Sequence, residues 1–257
     1  MKNISRYKAA STHLAISAAI AALVLLIMLA LWYPPPLFTA LGGENLAALI
    51  VGVDIVLGPL ITLIIFDTRK KGLVFDLSVV VALQLGALGY GIHTMYAARP
   101  AFIVFTGQEF SVVSAVDIDE KNLAKASIES FRHFSLTGPV LVAAEPPADP
   151  QEQSDIAFTR FLGIGIQHYP KYYVPYSDKR QQVLKESRPL ADLALESEDK
   201  ERLKKYLAQS PRNADKLRYL PVTSDNKPLT AVIDASSGNM VDILDIKPGI
   251  AKHQEAP

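Results

Sequence analysis

The residues with the greatest chemical potential in this sequence are polar groups inside long apolar stretches. Asp54 lies within the run Leu46 to Phe66, where it is the single charged residue among twenty-one positions. A buried carboxylate is unfavourable there, so we expect Asp54 to be protonated, hydrated or paired with a hydrogen-bond donor. The third apolar run is expected to cross in the opposite direction, which brings Tyr90 to a depth similar to that of Asp54 and places His93 higher, so both are candidate donors. Asp54 therefore has two interpretations: a structural bond between two helices of this chain, or contact with a helix of another protein.

Patterns that mark most catalytic and metal sites are absent from the sequence. It has no cysteine, which excludes disulfides, thiolate metal sites and cysteine nucleophiles. No two of the five histidines are four residues apart, and the HExxH, GxSxG, P-loop and GxGxxG motifs do not occur. We therefore predict no catalytic, cofactor-binding or metal-binding residue, and a protein that is not an enzyme.

A second candidate contact lies in the C-terminal part of the chain. The segment Tyr169 to Tyr176 (YPKYYVPY) contains four tyrosines and two prolines. Proline stiffens such a segment, and tyrosine supplies contact area that is both apolar and polar. Tyr172, Tyr173 and Tyr176 are therefore candidate contacts with a partner. The alternative is an irregular segment that packs over the core of its own domain.

The elements that must position Asp54 are three apolar runs, which predict membrane-spanning helices at about residues 13–33, 46–66 and 77–96. At about 1.5 Å per residue, each run is long enough for a hydrocarbon core of roughly 30 Å. Helix is expected because backbone groups in lipid must satisfy one another. The first run could instead be a cleaved signal peptide. However, it is longer than a typical signal core and leads into WYPPP rather than a small-residue cleavage site.

Small and polar residues within these runs indicate helix packing. Ala82 and Gly86 are spaced so that a neighbouring helix backbone can approach closely, which makes Gly86 a candidate helix-interface residue. Gln84 could donate a hydrogen bond across a helix interface or to a neighbouring backbone. Pro59 lacks an N–H and is expected to kink the second helix and free a carbonyl.

Charges in the connecting segments predict the orientation. Three basic residues precede the first run and three fill the loop at 69–71, whereas residues 33–45 contain no Lys or Arg. The positive-inside rule then places the N-terminus and the second loop in the cytoplasm. We predict a multi-pass protein of the bacterial inner membrane whose residues after Tyr96 are periplasmic, with Arg99 as the one contrary charge.

Beyond residue 98 the sequence changes character. The predicted fold class is a membrane all-α region of three helices at 1–98, then a soluble α+β domain with an antiparallel sheet at 99–247 and a flexible tail at 248–257. Asp119 should begin a helix, and further helices are expected at 155–162 and 199–209. Strands, the second with one solvent-facing side, are expected at Ala101–Phe105, Phe110–Val116 and Val140–Ala144, with a three-strand meander at Leu217–Val222, Leu229–Asp234 and Met240–Ile246.

Several motifs of this chain together resemble a known family, the type IV pilin accessory proteins of the TfpX/TfpZ group, which are FimB-like. The shared motifs are RYKAASTHLAISA, WYPPPLF, VGVDIVLGPLITLIIF, KKGLVFDLSVVVALQLGALGYG and RPAFIVF, then YYVPY, LRYLPV and VIDASSG. The C-terminal DIKPG departs from the aromatic ending expected for the family, which puts any contact by the tail in doubt.

The resemblance implies an accessory, chaperone-like role in the assembly or function of type IV pili, with the cognate major pilin and other pilus-assembly components as partners. It supplies no catalytic residues. Because such pilins have one helix in the membrane and a head outside it, we expect the helices of this protein to contact the pilin helix and its soluble domain to contact the pilin head. Neither half of the chain is basic enough to predict nucleic-acid binding. The alternative function is a membrane-anchored periplasmic ligand-binding or sensory module, although the cytoplasmic loops are too short to hold an output module.

Overall fold

The protein is described by a computed structural model that covers residues 5–193 and 195–248. The chain divides into two compact units. The helical unit comprises Met1–Phe38 and Gly42–Ala98, and the sheet unit comprises Thr39–Leu41 and Arg99–Pro257. The predicted flexible tail at 248–257 lies outside the described residues, apart from Pro248.

The helical unit contains three long helices, α1 (Arg6–Leu31), α2 (Gly43–Ile65) and α3 (Leu73–Ala97). They have 26, 23 and 25 residues and are long and apolar enough to cross a membrane. The prediction of three long apolar helices is therefore confirmed, although each begins earlier than predicted. A one-turn helix, Leu37–Ala40, lies between α1 and α2.

Helix α2 changes its hydrogen-bonding register halfway along its length. Val53–Leu57 forms a π-helical segment, in which each carbonyl pairs with the N–H five residues later. Pro59 is five residues after Asp54 and has no N–H, so the backbone carbonyl of Asp54 lacks a donor in this register. The side-chain amide of Gln84, in α3, donates to that carbonyl over 3.2 Å. Pro59 thus frees a carbonyl as predicted, and the disturbance takes the form of a π-helical turn.

Contacts along one narrow stripe hold α3 against the other two helices. Gly91 lies against Ile50 of α2, where an added Cβ would stand 2.5 Å from the Ile50 Cγ1 atom. Just after α1, Tyr33 is 1% exposed and its hydroxyl donates to the backbone carbonyl of Met95 over 2.7 Å. Most of the remaining surface of α3 is uncovered, since only 6% of its apolar window is buried.

The sheet unit is built on one eight-stranded sheet with the order β4-β3-β1-β2-β6-β7-β8, in which β5 also pairs with β6. The strands are β1 (Pro100–Phe105), β2 (Phe110–Ser114), β3 (Val140–Ala144), β4 (Tyr173–Pro175), β5 (Arg188–Pro189), β6 (Leu217–Thr223), β7 (Leu229–Asp234) and β8 (Met240–Leu244). The α-helices are Glu120–Leu123, α4 (Pro150–Phe161), α5 (Arg180–Glu186) and α6 (Ser197–Gln209). The 3₁₀ turns are Ala115–Asp117, Glu129–Phe131, Ile166–His168, Pro170–Tyr172, Tyr176–Lys179, Leu190–Asp192 and Ala214–Lys216.

The sheet is mixed, so the prediction of an antiparallel sheet is wrong. Strand β1 is antiparallel to β2 but parallel to β3, and β2 is parallel to β6. The long connection at 115–139 carries the chain back past β1, so that β3 runs beside it in the same direction. The meander β6-β7-β8 is antiparallel as predicted.

Strands β1 and β2 are buried on both faces. All residues of both strands are buried, although the alternation in β2 predicts one solvent-facing side. Ser111 is satisfied inside the unit, because its hydroxyl hydrogen-bonds the hydroxyl of Thr223 in β6 over 3.0 Å. Ser111 therefore hydrogen-bonds across the pair of β2 and β6 instead of facing solvent.

The helix predicted to begin at Asp119 is much shorter than expected. Asp119 does cap it, because its carboxylate accepts a hydrogen bond from the backbone N–H of Lys121 over 3.0 Å. The helix ends at Leu123, and the guanidinium of Arg132 donates to the carbonyl of Ala126 over 2.8 Å. The Arg132 side chain thus hydrogen-bonds a backbone carbonyl that would have accepted from a backbone N–H in a longer helix.

The turn between β7 and β8 is held by one carboxylate. Asp234 accepts hydrogen bonds from the backbone N–H groups of Ser236 and Ser237 over 3.0 and 2.9 Å. Hydrogen bonds to the ionised carboxylate lower the pKa of Asp234 to about 2, with the largest contribution from the Ser236 hydroxyl and the next from the Ser237 N–H. Gly238 follows with a φ of 70°, a conformation that glycine adopts without strain. Gly238 thus closes the turn that leads into β8.

Candidate functional site

Four polar side chains from all three helices meet inside the helical unit. His13 of α1 hydrogen-bonds through Nδ1 to the hydroxyl of Thr62 in α2 over 2.6 Å. Its Nε2 hydrogen-bonds to Oε1 of Gln84 in α3 over 2.8 Å. Gln84 also donates to the carbonyl of Asp54, as described above. We call these residues, His13, Asp54, Thr62 and Gln84, the polar cluster.

The direction of each hydrogen bond in the polar cluster follows from its partners. The Asp54 carbonyl can only accept, so the Gln84 amide nitrogen points to it and Oε1 faces His13. His13 must then donate from Nε2, which leaves Nδ1 of a neutral ring as an acceptor. The Thr62 hydroxyl therefore donates to Nδ1. A neutral His13 with its proton on Nε2 therefore satisfies each of the hydrogen bonds that link α1, α2 and α3 in this cluster.

The side chain of Asp54 is the exception within this cluster. It is 6% exposed, and its Oδ1 atom is buried without a hydrogen-bond partner. Asp54 is eleven residues from each end of α2 (Gly43–Ile65), which places it about 16 Å from either end. An unsatisfied polar atom in such surroundings is strongly unfavourable. Stable burial of the Asp54 Oδ1 atom therefore requires a hydrogen-bond donor that is not found among the described residues.

A cavity of about 330 Å³ adjoins the polar cluster. Its lining is mostly apolar, and all three helices contribute to it. The lining residues are Ala9, Thr12, His13, Ile16, Ser17, Ile20, Asp54, Thr62, Phe66, Leu77, Val81, Gln84, Leu85 and Leu88. An apolar cavity with a few convergent polar groups is the usual form of a binding site.

The structure does not bring Tyr90, His93 or Gly86 to Asp54. Tyr90 is 74% exposed, and His93 and Gly86 also lie on the uncovered surface of α3. Gln84 faces α2 instead, and at 100° per residue His93 lies on the opposite side of α3. Depth alone suggested Tyr90 and His93 as donors, and spacing alone suggested Gly86 as an interface residue, whereas the rotation of α3 decides which side chain meets Asp54.

Sequence reasoning missed His13 and Thr62 as members of the cluster. Both are polar residues near the ends of apolar runs, where such residues are common, so neither stands out. Gln84 is confirmed as a donor across a helix interface, and its acceptor is a backbone carbonyl. Gly58 makes room for it, since a Cβ there would stand 2.1 Å from the Gln84 amide nitrogen.

The tyrosine segment of the sheet unit has a buried half and an exposed half. Tyr173 and Tyr176 are 1% and 8% exposed and belong to the interior, where burial raises the pKa of Tyr176 to about 12. Tyr172 is half-buried, and its hydroxyl donates to the carboxylate of Glu152 in α4 over 2.8 Å. This bond, with a second from Lys171, lowers the pKa of Glu152. Of the three candidate tyrosines, Tyr172 is the most accessible to a partner.

Helix α4 presents an exposed apolar ridge. Its inward side carries Glu152 and Thr159, which hydrogen-bond Tyr172 and Tyr169. Its outward side carries large apolar side chains that continue into the following turn. These are Phe158, Phe161, Leu162 and Ile164, which are 68%, 91%, 68% and 44% exposed. We call these four residues the α4 ridge. Clustered exposed apolar side chains mark interaction surfaces.

A larger cleft lies beside α4 on the sheet unit, lined in part by Ile156 and Arg160 of that helix. It has a volume of about 880 Å³ and a mixed lining that includes Glu109, Arg160, Glu186 and Arg188. No group of three or more His, Asp or Glu side chains able to hold a metal occurs within residues 5–193 and 195–248. The cleft therefore offers charged and polar groups to a ligand rather than a metal centre.

Comparison with known proteins gives consistent matches. Residues 2–42 match the family described as "Fimbrial assembly protein FimB". The chain is 30% identical over 243 residues to the "Fimbrial assembly protein, serogroup I" of Dichelobacter nodosus, covering 93% of this chain and 94% of that protein. It is 28% identical over 243 residues to the serogroup E1 protein of the same organism. No solved structure gives a significant match. The chain therefore belongs to the FimB fimbrial assembly protein family.

Proposed function

We propose that this protein is a non-enzymatic accessory protein of the bacterial inner membrane that supports the assembly or function of type IV pili by contacting the cognate pilin. The observation that carries this proposal is the similarity to fimbrial assembly proteins, which extends over 93% of the chain. A match of this length includes both units, so both are expected to serve the shared role.

The charge distribution supports an orientation with the N-terminus in the cytoplasm. Arg6 and Lys8 stand at the start of α1, and Arg69, Lys70 and Lys71 lie between α2 and α3. Basic residues favour the cytoplasmic side of the membrane. With three crossings, the sheet unit then lies in the periplasm, on the side where the head of an unassembled pilin is expected.

Contact with the pilin both within the bilayer and outside it would use both units of the protein. The helices would contact the pilin helix within the bilayer, while the sheet unit contacts the pilin head. Two weak contacts joined in one chain raise the effective concentration of the second and give useful binding overall. On the sheet unit, the α4 ridge offers an apolar surface and Tyr172, on the other side of α4, offers an aromatic one, and such contacts favour both.

Deletion of the gene is expected to remove most surface pili, and copurification tests the contact itself. Pilin should copurify with the tagged full chain from detergent-solubilised membranes. The double variant Phe158→Ser and Phe161→Ser should reduce the recovered pilin roughly tenfold, because aromatic side chains dominate the binding energy of interfaces.

Leu136→Ser provides the matched control, since Leu136 is 70% exposed but lies outside the α4 ridge. It should leave the recovery of pilin unchanged. Normal surface pili in the deletion strain, together with no pilin in the purified sample, would contradict the proposed function. Unchanged pilin recovery with the double variant would contradict the role of the α4 ridge alone.

A second candidate function, a membrane-anchored ligand-binding module, rests on the cleft of about 880 Å³ in the sheet unit. Its charged lining suits a polar small molecule. A periplasmic extract that protects the purified protein against thermal unfolding, with protection lost in Arg188→Ala, would favour this candidate.

A further inference from the structure

A groove runs between α1 and α3, with α2 as its floor. Thr12, Ile16 and Ile20 recur every four residues along α1 and form one wall. Val81, Leu85 and Leu88 of α3 belong to the other wall, which begins at Leu77. Each wall spans about eleven residues, or roughly 16 Å, which corresponds to three helical turns. The cavity of about 330 Å³ described above lies in this groove.

The floor of the groove presents an acceptor without a donor. Oδ1 of Asp54 is buried and has no hydrogen-bond partner, although His13, Thr62 and Gln84 all lie in the same cavity. Those three side chains hydrogen-bond one another and the Asp54 backbone. Among the described residues, Oδ1 of Asp54 is thus the buried side-chain atom left without a hydrogen-bond partner, and Asp54 lines the groove.

We propose that this groove is the docking site for the transmembrane helix of the pilin, and that a donor group on that helix hydrogen-bonds Asp54. The inference rests on the proposed function for the identity of the partner. A helix fits the groove because each wall is a stripe of residues along one helix, and small residues such as Ala9 and Ser17 line it and permit close approach.

The depth of Asp54 argues for a helix-borne donor over a lipid. A lipid tail carries no donor and would leave Oδ1 unsatisfied in hydrocarbon. Headgroups lie at the membrane surface, whereas Asp54 is eleven residues from either end of α2 (Gly43–Ile65). An N–H or O–H group, neutral or cationic, on a fourth helix reaches this depth and complements the acceptor.

Site-specific photocrosslinking in the native membranes tests this docking site with the full chain. A photoreactive amino acid is placed at Leu85, on the groove wall, or at Leu83, two residues away on the uncovered side of the same helix. These residues are 60% and 70% exposed, so neither replacement disturbs a packed position. The Leu85 probe should capture pilin, whereas the Leu83 probe should not.

The role of Asp54 is tested in the same experiment. Asp54→Ala should reduce pilin capture at Leu85 by about tenfold or more, the range expected for loss of a charge-assisted hydrogen bond. Tyr90→Phe, on the uncovered face of α3, should leave capture unchanged. The thermal unfolding midpoint of Asp54→Ala in detergent should stay close to that of the parent, because Gln84 donates to the Asp54 backbone carbonyl, which alanine retains, and Oδ1 forms no hydrogen bond that would be lost.

Several outcomes would overturn the inference. Capture at Leu83 but not Leu85, capture that Asp54→Ala leaves unchanged, or capture only of lipid or of a second copy of this chain would each do so. If pilin still copurified in these cases, the docking site would be wrong while the proposed function stood. Failure of copurification and normal surface pili would remove the proposed function itself.

Discussion

Replacing Phe102 by alanine should lower the free energy of unfolding of the sheet unit by about 3–5 kcal/mol, the range for a large aromatic lost from a packed core. Phe102 lies in β1, is fully buried, and belongs to the cluster that joins β1, β2 and β3. Its ring contacts Tyr173 with centroids 5.1 Å apart. Truncation would leave a cavity beneath the buried half of the tyrosine segment, and that segment connects to α4.

Pulse proteolysis of the full chain in detergent, across a urea series, measures this loss for the sheet unit. Phe161→Ala is the matched control, because Phe161 is 91% exposed and the same atoms are removed. Its effect should stay within about 0.5 kcal/mol. Equal effects of the two substitutions would mean that Phe102 does not lie in the core described above.

Replacing Gly91 by valine should destabilise the helical unit by about 1–3 kcal/mol, the usual range for overpacking. An added Cβ at Gly91 would stand 2.5 Å from the Cγ1 atom of Ile50, so α2 and α3 must separate or Ile50 must leave its position. The contact that Gly91 permits lies on the same stripe of α3 as Gln84. Separation of the helices would therefore also weaken the polar cluster.

The chain has a single tryptophan, which makes the measurement simple. Trp32 packs edge-on against Tyr96 of α3, with ring centroids 5.0 Å apart, so its fluorescence follows the contact between α1 and α3. Gly86→Val is the control, because nothing lies within 4 Å of an added Cβ there. A lower unfolding midpoint for Gly86→Val than for Gly91→Val would contradict the packing of α3.

The sequence predicted the elements of this protein better than their arrangement. Long uncharged runs and short alternating ones are local signals, so the three helices and the meander of β6, β7 and β8 are as expected. Strand pairing across a long connection is not a local property. The parallel pairing of β1 with β3 therefore could not be read from residues 101–144, and the burial of Ser111 depends on Thr223, far along the chain.

The candidate site shows the same division. Asp54 stood out because a carboxylate in an apolar run is rare. Its neighbours depend on how α3 is rotated, and a uniformly apolar helix gives no rotational signal. Tyr90 and His93 were therefore chosen by depth, whereas Gln84 faces α2. His13 and Thr62 were missed because each becomes significant only when a second helix brings its partner within hydrogen-bonding distance.

We propose that the three helices cross the inner membrane and place the sheet unit in the periplasm. Because the chain has no cysteine, Thr68→Cys in the loop after α2 and Lys204→Cys in α6 each provide one labelling site on an exposed surface. A membrane-impermeant maleimide applied to intact spheroplasts should label Lys204→Cys and should label Thr68→Cys only after permeabilisation. Labelling of Thr68→Cys alone in intact spheroplasts would contradict the proposed orientation, and recovery of the protein in the soluble fraction without detergent would contradict its insertion in the membrane.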